Sequence, residues 1–375
     1  MTFTPEEAAM KRNFLKQRQS LPLHLKVELS KNRIKQFYEH FDGNVYVSFS
    51  GGKDSTVLLH LVRSLYPEVP AVFVDTGLEY PEVRKFVKQT ANTITIRPKI
   101  TFKEVLEQYG YPVISKEVAK TIEESRRNPN GYTKKKFNSN SDYVKKYGSR
   151  YDLSKWIPLR DSDIKISSQC CNVMKKKPMK KYEKETGLRP IVATMAEESR
   201  MRRTGWLAHG CNAFDSKRPI SKPMSFWTEQ DVLIFIKNSN IEIADAYGEI
   251  VEVKKKSGCK LQCTGCARTG CVYCGFGAQN KNDNRFLTLA ELDPKKYEYS
   301  MNGGQWVDNP KYDATAPEYD GAWKNWNPKK IWVPSKEGLG LKKVFDMFNE
   351  LYQDCKIKYE PDNDFERQMT IDDYV

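Results

Sequence analysis

Ser50-Gly51-Gly52-Lys53-Asp54-Ser55 has the residue types that an anion site needs. Adjacent glycines allow a tight turn and a close backbone approach to a phosphate. A helix starting there would point its free N–H groups and positive dipole end at the same anion. Ser48, Ser50, Ser55 and Lys53 add side-chain donors, and Lys53 and Asp54 are the candidates for chemistry at the phosphates. The G-x-x-x-x-G-K-[ST] spacing of a Walker A loop is missing, and so is G-x-G-x-x-G. An ordinary glycine turn between a strand and a helix is the plain alternative.

Thiols form the second group. The chain has nine cysteines; five lie between Cys259 and Cys274, and Cys170 and Cys171 are adjacent. Clustering of this kind in a reducing compartment points to metal or redox ligation rather than a disulfide framework. Cys263-x-x-Cys266-x4-Cys271-x-x-Cys274 supplies four thiolates in one local run, enough for a tetrahedral zinc. Its central spacing is shorter than in the usual paired knuckles. Cys259 is a spare ligand, and Cys211 and Cys355 carry no motif. The four histidines are scattered, with no spacing suited to a metal triad.

The elements around these residues follow from periodicity. Thr4-Pro5-Glu6-Glu7 opens a helix with a capping pattern, and Leu23 to His40 continues as a second helix after Pro22. Val45 to Phe49, Ala71 to Val74, Thr93 to Arg97 and Pro190 to Thr194 are strand candidates. Helical stretches over Thr56–Tyr66, Glu82–Ala91 and Phe102–Tyr109 alternate with the first three. That alternation predicts an α/β fold with a doubly wound parallel sheet. Asn128 to Arg150 reads as a mobile loop or insertion, and Met301 to Trp332 as irregular. Thr228 to Ile236 and Leu339 to Tyr352 are further helices.

The match at residues 50–55 to the SGGxDS signature resembles PP-loop proteins, and Val74 to Glu82 resembles the second-strand motif of the phosphoadenosine-phosphosulfate (PAPS) reductase family. Met195 to Arg203 is similar to that family's later Glu-Ser-Arg motif, and Pro223 to Ile236 to the segment after it. The resemblance runs from about Asn44 to Gly277. It implies an adenine nucleotide α-hydrolase-like sheet that binds ATP or a related nucleotide, with N-terminal helices and a Cys-rich C-terminal portion. Nucleotide contacts fall on Ser48, Ser50, Gly51, Gly52, Lys53, Asp54, Ser55, Asp75, Thr76, Gly77, Glu198, Ser199, Arg200 and Arg203. Arg200 joins Lys53 and Asp54 as a catalytic candidate, and Arg202 is a further anion contact. Mg²⁺ would be held by Asp75, Glu198 or the phosphates alone.

Cys170-Cys171 with Cys271-x-x-Cys274 resembles the ligand set of the family's iron–sulfur members, such as adenylylsulfate reductases. This implies a [4Fe–4S] cluster, with the local set of Cys263, Cys266, Cys271 and Cys274, or zinc, as the alternative. The family's C-terminal Glu-Cys-Gly nucleophile motif is missing. That shifts the expectation toward DNA phosphorothioation and tRNA thiolation enzymes, which activate an oxygen with ATP and then transfer sulfur. PAPS or adenylylsulfate reduction, and a non-catalytic binding module with a structural metal, are the alternatives.

Charge bears on partners. The net charge is +14, and residues 115–189 hold 20 Lys and Arg against 9 Asp and Glu. Such a surface suits DNA or tRNA, and Tyr132, Phe137, Tyr143, Tyr147, Tyr151 and Trp156 are candidates to stack on bases. A solvated lysine-rich face and ordinary packing are the plain alternatives. A sulfur donor or reductant protein is the other expected partner. No run approaches the length of a membrane span, and the first twenty residues lack a signal peptide's apolar centre; the expected location is cytoplasmic. The expected organisation is an N-terminal helical segment (1–42), an α/β nucleotide domain with an insertion near 128–165 (43–237), a Cys-rich segment (238–300) and an irregular and helical remainder (301–375).

Overall fold

Short runs rich in β-branched and aromatic residues build one half of the central sheet, and shorter strands without that pattern complete it. They are β1 (Val45–Ser48), β2 (Ala71–Val74) and β3 (Thr93–Ile96), then, beyond a short β4 (Val113–Ile114), β5 (Arg189–Ile191), β6 (Asn212–Ala213) and β7 (Ile220–Ser221). The computed structural model describes residues 4–128, 131–255, 258–315 and 326–361. They divide into two compact units, Met1–Pro98 with Lys177–Gly270, and Lys99–Lys176 with Cys271–Val375.

The first unit holds a six-stranded sheet in the order β3-β2-β1-β5-β7-β6. Every neighbouring pair is parallel except β6 with β7. Alternation along the strands sends side chains to two faces. Val45, Val47, Ala71 and Phe73 meet Ile34 and Phe37 of the helix Leu23–His40, Val57, Leu58 and Leu61 of Lys53–Arg63, and Val232 and Ile236 of Glu229–Ser239. Tyr46 and Val72 point the other way, onto Met179 and Tyr182 of the helix Lys177–Thr186. Helices therefore cover both faces, the doubly wound arrangement expected from the alternation.

Local signals in the sequence explain the boundaries. Thr4 and Glu7 close a reciprocal capping box at the first helix, and Thr228 and Asp231 do the same at Glu229–Ser239. Asp231 also takes a 2.6 Å ion pair from Lys26, which is almost fully buried. A hairpin of β8 (Ile250–Lys255) and β9 (Gly258–Cys263) completes the unit.

In the second unit β4 pairs in parallel with β10 (Gly275–Phe276). The segment expected as a mobile loop or insertion holds, from Gly131 on, a chain of short turns with a helix at Asp142–Tyr147. Phe137, Val144, Leu153 and Leu159 are buried and hold it down. The guanidinium of Arg126 donates to the carbonyls of Arg160, Ile164, Leu159 and Ser162 at 2.7–2.9 Å. Burial pushes its pKa down to about 9. Residues 301–332, expected to lack regular structure, contain β11 (Gln305–Asp308), which pairs antiparallel with β12 (Lys330–Val333). The expectation failed because Trp, Gly and Asn mask the alternation there. Residues 316–325 and 362–375 lie outside the described residues. No described helix is long and apolar enough to cross a membrane.

Removing Lys26 would leave Asp231 buried without its cation. Lys26→Met should lower stability by about 3–5 kcal/mol, read as a shift in the urea midpoint at constant slope. Adding Asp231→Asn should recover a large part of that loss.

Candidate functional site

The chain leaves β1 and enters the helix Lys53–Arg63 through Ser50, Gly51 and Gly52. Gly51 has φ +69°, and a Cβ there would lie 2.6 Å from Val87 Cγ2 and 2.8 Å from Val83 Cγ1. No other residue type fits that turn without displacing the helix Pro81–Gln89. Ser50 and Ser55 lock it: the Ser50 amide donates to Ser55 Oγ at 3.2 Å, and Ser55 Oγ donates to the Gly52 carbonyl at 2.9 Å. Gly52 caps the helix without a side chain, so backbone donors face outward.

They face a cavity of about 310 Å³ lined by Ser48, Ser50, Gly52 to Ser55, the end of β5 with the residues after it (Val192 to Thr194), Glu198, Arg202, Tyr247, Arg268 and Thr269. All belong to the first unit. Three cations, Lys53, Arg202 and Arg268, surround it. Lys53 is buried; its Nζ donates to the Ala267 carbonyl at 2.9 Å and lies 3.2 Å from Glu229. The Lys53 amide donates to the Tyr247 hydroxyl at 3.1 Å, and that hydroxyl is 2.7 Å from Thr269 Oγ1. Glu198 pairs with Arg202 and lies 3.8 Å from Arg268. Burial, with Arg268 nearby, pushes the Arg202 pKa down.

Two buried polar atoms here have no hydrogen-bond partner, Asp54 Oδ1 and Thr194 Oγ1. Burial raises the Asp54 pKa, and Lys53, Arg268 and Arg202 offset this only in part. Buried polar groups are almost always satisfied. Two such atoms lie in this one cation-rimmed cavity.

Other expected contacts lie elsewhere. Asp75 does not line this cavity. Its carboxylate accepts from the Gly77 amide at 3.2 Å and pairs with Arg84 at 2.8 Å and Arg97 at 3.5 Å. Burial opposes its ionisation, but Arg84, the Gly77 amide and Arg97 together hold its pKa below the usual range. Thr76 binds Glu79 rather than facing the cavity. Ser199 caps the helix Arg200–His209 by accepting from the Arg202 amide. Arg203 is an exposed residue of that helix, and the side chain of Arg200 lies outside the described residues.

Sequence reasoning missed Tyr247, Arg268 and Thr269. Tyr247 ends a short turn just before β8, and Arg268 and Thr269 follow β9; amides of Gly265 and Cys266, donating to the Tyr247 and Ala246 carbonyls at 2.9 and 2.8 Å, tie the two segments together. The one available signal was Gly265, where a Cβ would lie 2.5 Å from the Ala246 carbonyl oxygen.

The thiols divide between the units. Cys263 is buried against Val83, Leu233, Ala244 and Tyr247 in the first unit, which also holds Cys266. Cys170, Cys171, Cys271 and Cys274 all belong to the second. Cys170 and Cys171 place their sulfurs 3.9 Å apart just before a wide helical turn at Asn172–Lys176. The Cys274 amide donates to the Cys271 carbonyl at 3.0 Å, and β10 follows directly. Cys170 is pushed up by the Cys171 hydrogen bond, by burial, and by repulsion from Cys171, Cys274 and Cys271. Cys171 is pulled down to about 5 by the Cys170 thiol, with Lys116 and Lys175 assisting. Cys171, Cys271 and Cys274 thus all lie within electrostatic reach of Cys170. Among the described residues no three His, Cys, Asp or Glu side chains converge on a point that would hold a single ion.

Residues 44–126 match the phosphoadenosine phosphosulfate reductase domain family. Over this segment the chain is similar to the PAPS reductase family. The family's match spans the glycine turn and the strand that ends at Val74. Among its relatives, the phosphoadenosine 5'-phosphosulfate reductase of Xylella fastidiosa (strain M12) is 34% identical over 85 residues, 23% of this chain and 34% of its own. An uncharacterized protein of Methanocaldococcus jannaschii is 28% identical over 265 residues, 69% of this chain and 42% of its own. The chain thus spans about a third of the Xylella reductase's length. A solved phosphoadenylyl-sulfate reductase from Candida auris, in its phosphate complex, aligns over 65% of this chain and 91% of its own, with 13% identity and a TM-score of 0.33.

Thr194→Val separates a structural hydroxyl from one kept for a guest. Removing a buried orphan should raise the melting temperature, by about 1–2 kcal/mol in stability. The same change should weaken pyrophosphate binding, measured by titration calorimetry, by about tenfold. Equal or lower stability with unchanged binding would show that the hydroxyl serves neither purpose.

Proposed function

We propose that the first unit binds ATP or a closely related adenine nucleotide and exposes its α-phosphorus to an acceptor oxygen. The observation that carries this is the pair of buried atoms without a hydrogen-bond partner, Asp54 Oδ1 and Thr194 Oγ1, in a cavity rimmed by Lys53, Arg202 and Arg268. In this reading the acceptor oxygen bonds to the α-phosphorus while the α–β bond breaks, and pyrophosphate leaves with its negative charge. Lys53, Arg202, Arg268 and the amides at the helix start balance that charge as it develops. Lys53 must exchange Glu229 and the Ala267 carbonyl for the phosphates. Asp54 is the carboxylate suited to a Mg²⁺ carried by the nucleotide. A sulfur nucleophile from a donor protein then displaces AMP from the activated acceptor, for which a nucleic acid is the class the basic stretch 115–189 suits.

The residues of the second unit fit a [4Fe–4S] cluster. Cys171, Cys271 and Cys274 all act electrostatically on Cys170, and together the four supply one thiolate for each iron. A single zinc needs all its ligands within bonding distance of one atom. Cys170, Cys171, Cys271 and Cys274 would hold it, with Lys116, Lys175 and Arg285 offsetting their negative charge. Bound, such a cluster would supply electrons or a site for sulfur. Reduction of a sulfonucleotide by a cysteine nucleophile fits less well. Burial pushes the Cys355 thiol up rather than activating it.

The test is pyrophosphate release from ATP by anaerobically purified protein, with sulfite release from PAPS measured in parallel. Pyrophosphate release that falls at least about a hundredfold in Asp54→Asn supports the reading. Sulfite release without pyrophosphate release, or full turnover in Asp54→Asn, overturns it. The metal assignment has its own readout: about four iron and four sulfide per chain, lost in Cys170→Ser with Cys171→Ser and kept in Cys263→Ser with Cys266→Ser.

A further inference from the structure

Four tyrosines gather in the second unit, in a segment the nucleotide chemistry does not use. Tyr143 lies at the centre, with ring centroids 6.1 Å from Tyr132, 4.7 Å from Tyr147 and 5.9 Å from Tyr151. Tyr147 and Tyr151 are 6.1 Å apart. Every one of these contacts is tilted or edge-on, so no ring is stacked flat on another. Tyr132 is 61% exposed and Tyr147 50%. Val144, Phe137 and Leu153 of the same segment are buried.

Cations rim the cluster. Arg150 lies 4.5 Å from the Tyr151 ring centroid and Lys146 lies 5.4 Å from that of Tyr147. Lys135, Lys145, Lys146 and Arg150 are exposed. From Gly131 to Lys155 the only acids are Asp142 and Asp152.

We propose that this tyrosine cluster and its cationic rim are a docking surface for single-stranded nucleic acid. Exposed aromatic faces stack on bases, and neighbouring cations take the phosphates between them. A duplex keeps its base faces hidden, so it would meet the cations and leave the rings idle. An acidic peptide would do the same. Only an unpaired strand uses both halves of the surface. The proposal deepens the proposed reaction by naming the class of its acceptor. Its test needs no nucleotide, so failure of one reading can be told from failure of the other.

The test is fluorescence anisotropy of the full chain with a labelled single strand of about 12 nucleotides, titrated between about 50 and 200 mM salt. Wild-type protein should bind the strand more tightly than a duplex of the same sequence. Tyr132→Ala with Tyr147→Ala should weaken binding by roughly tenfold per ring while leaving the salt slope and the melting temperature unchanged. Tyr132→Trp with Tyr147→Trp should restore it. Lys145→Ala with Lys146→Ala should instead reduce the salt slope by about 1.4. Binding that ignores the tyrosine substitutions, a duplex bound as tightly as the strand, or no binding at the lowest salt would each overturn the proposal.

Discussion

The candidate site depends on a three-residue reversal between β1 and the helix that begins at Lys53. Gly51 makes it possible, because its φ of +69° and the methyls of Val83 and Val87 leave no room for a Cβ. The turn is therefore shaped by a helix that follows the next strand, not only by its own glycines. Once Ser50 and Ser55 lock it, the helix start is left without a side-chain cap. Backbone donors that would ordinarily be spent on capping remain for a guest.

Charge balance follows from that geometry. A buried ammonium must be paired, and Lys53 finds the Glu229 carboxylate and the Ala267 carbonyl. In the proposed reading a phosphate would take the place of these groups. Asp54 Oδ1, 4.0 Å from Lys53 Nζ, and Thr194 Oγ1 have no hydrogen-bond partner. The second unit poses the opposite problem, with four sulfurs repelling one another as they ionise. Cys170 rises and Cys171 falls because one proton serves both.

Much of this was legible in the sequence. Strands at Val45, Ala71 and Thr93, the helices between them and the capping boxes at Thr4 and Thr228 all follow from local pattern. So does the glycine turn, since φ > 0 is a demand that glycine meets within its own residue. What failed were segments whose order comes from distant packing. The turns after Asn128 look like loop because their polar residues outnumber the few, Phe137, Val144 and Leu153, that bury. β11 and β12 are recognisable as strands only once paired with each other.

The sequence by itself determined the residue types at the phosphate loop, the number of thiols and the positive charge of the middle of the chain. These are properties of short windows and of composition. Tertiary structure alone decided which residues share a cavity. It brought Tyr247, Arg268 and Thr269 to the loop from some two hundred residues away along the chain, and it turned Asp75 toward Arg84 and Arg97 instead. It also grouped Cys170 and Cys171 with Cys271 and Cys274 in one unit and left Cys263 and Cys266 in the other. The physical reason is the same in each case: a contact between distant segments is set by the packing of whole elements, and no local pattern encodes the partner.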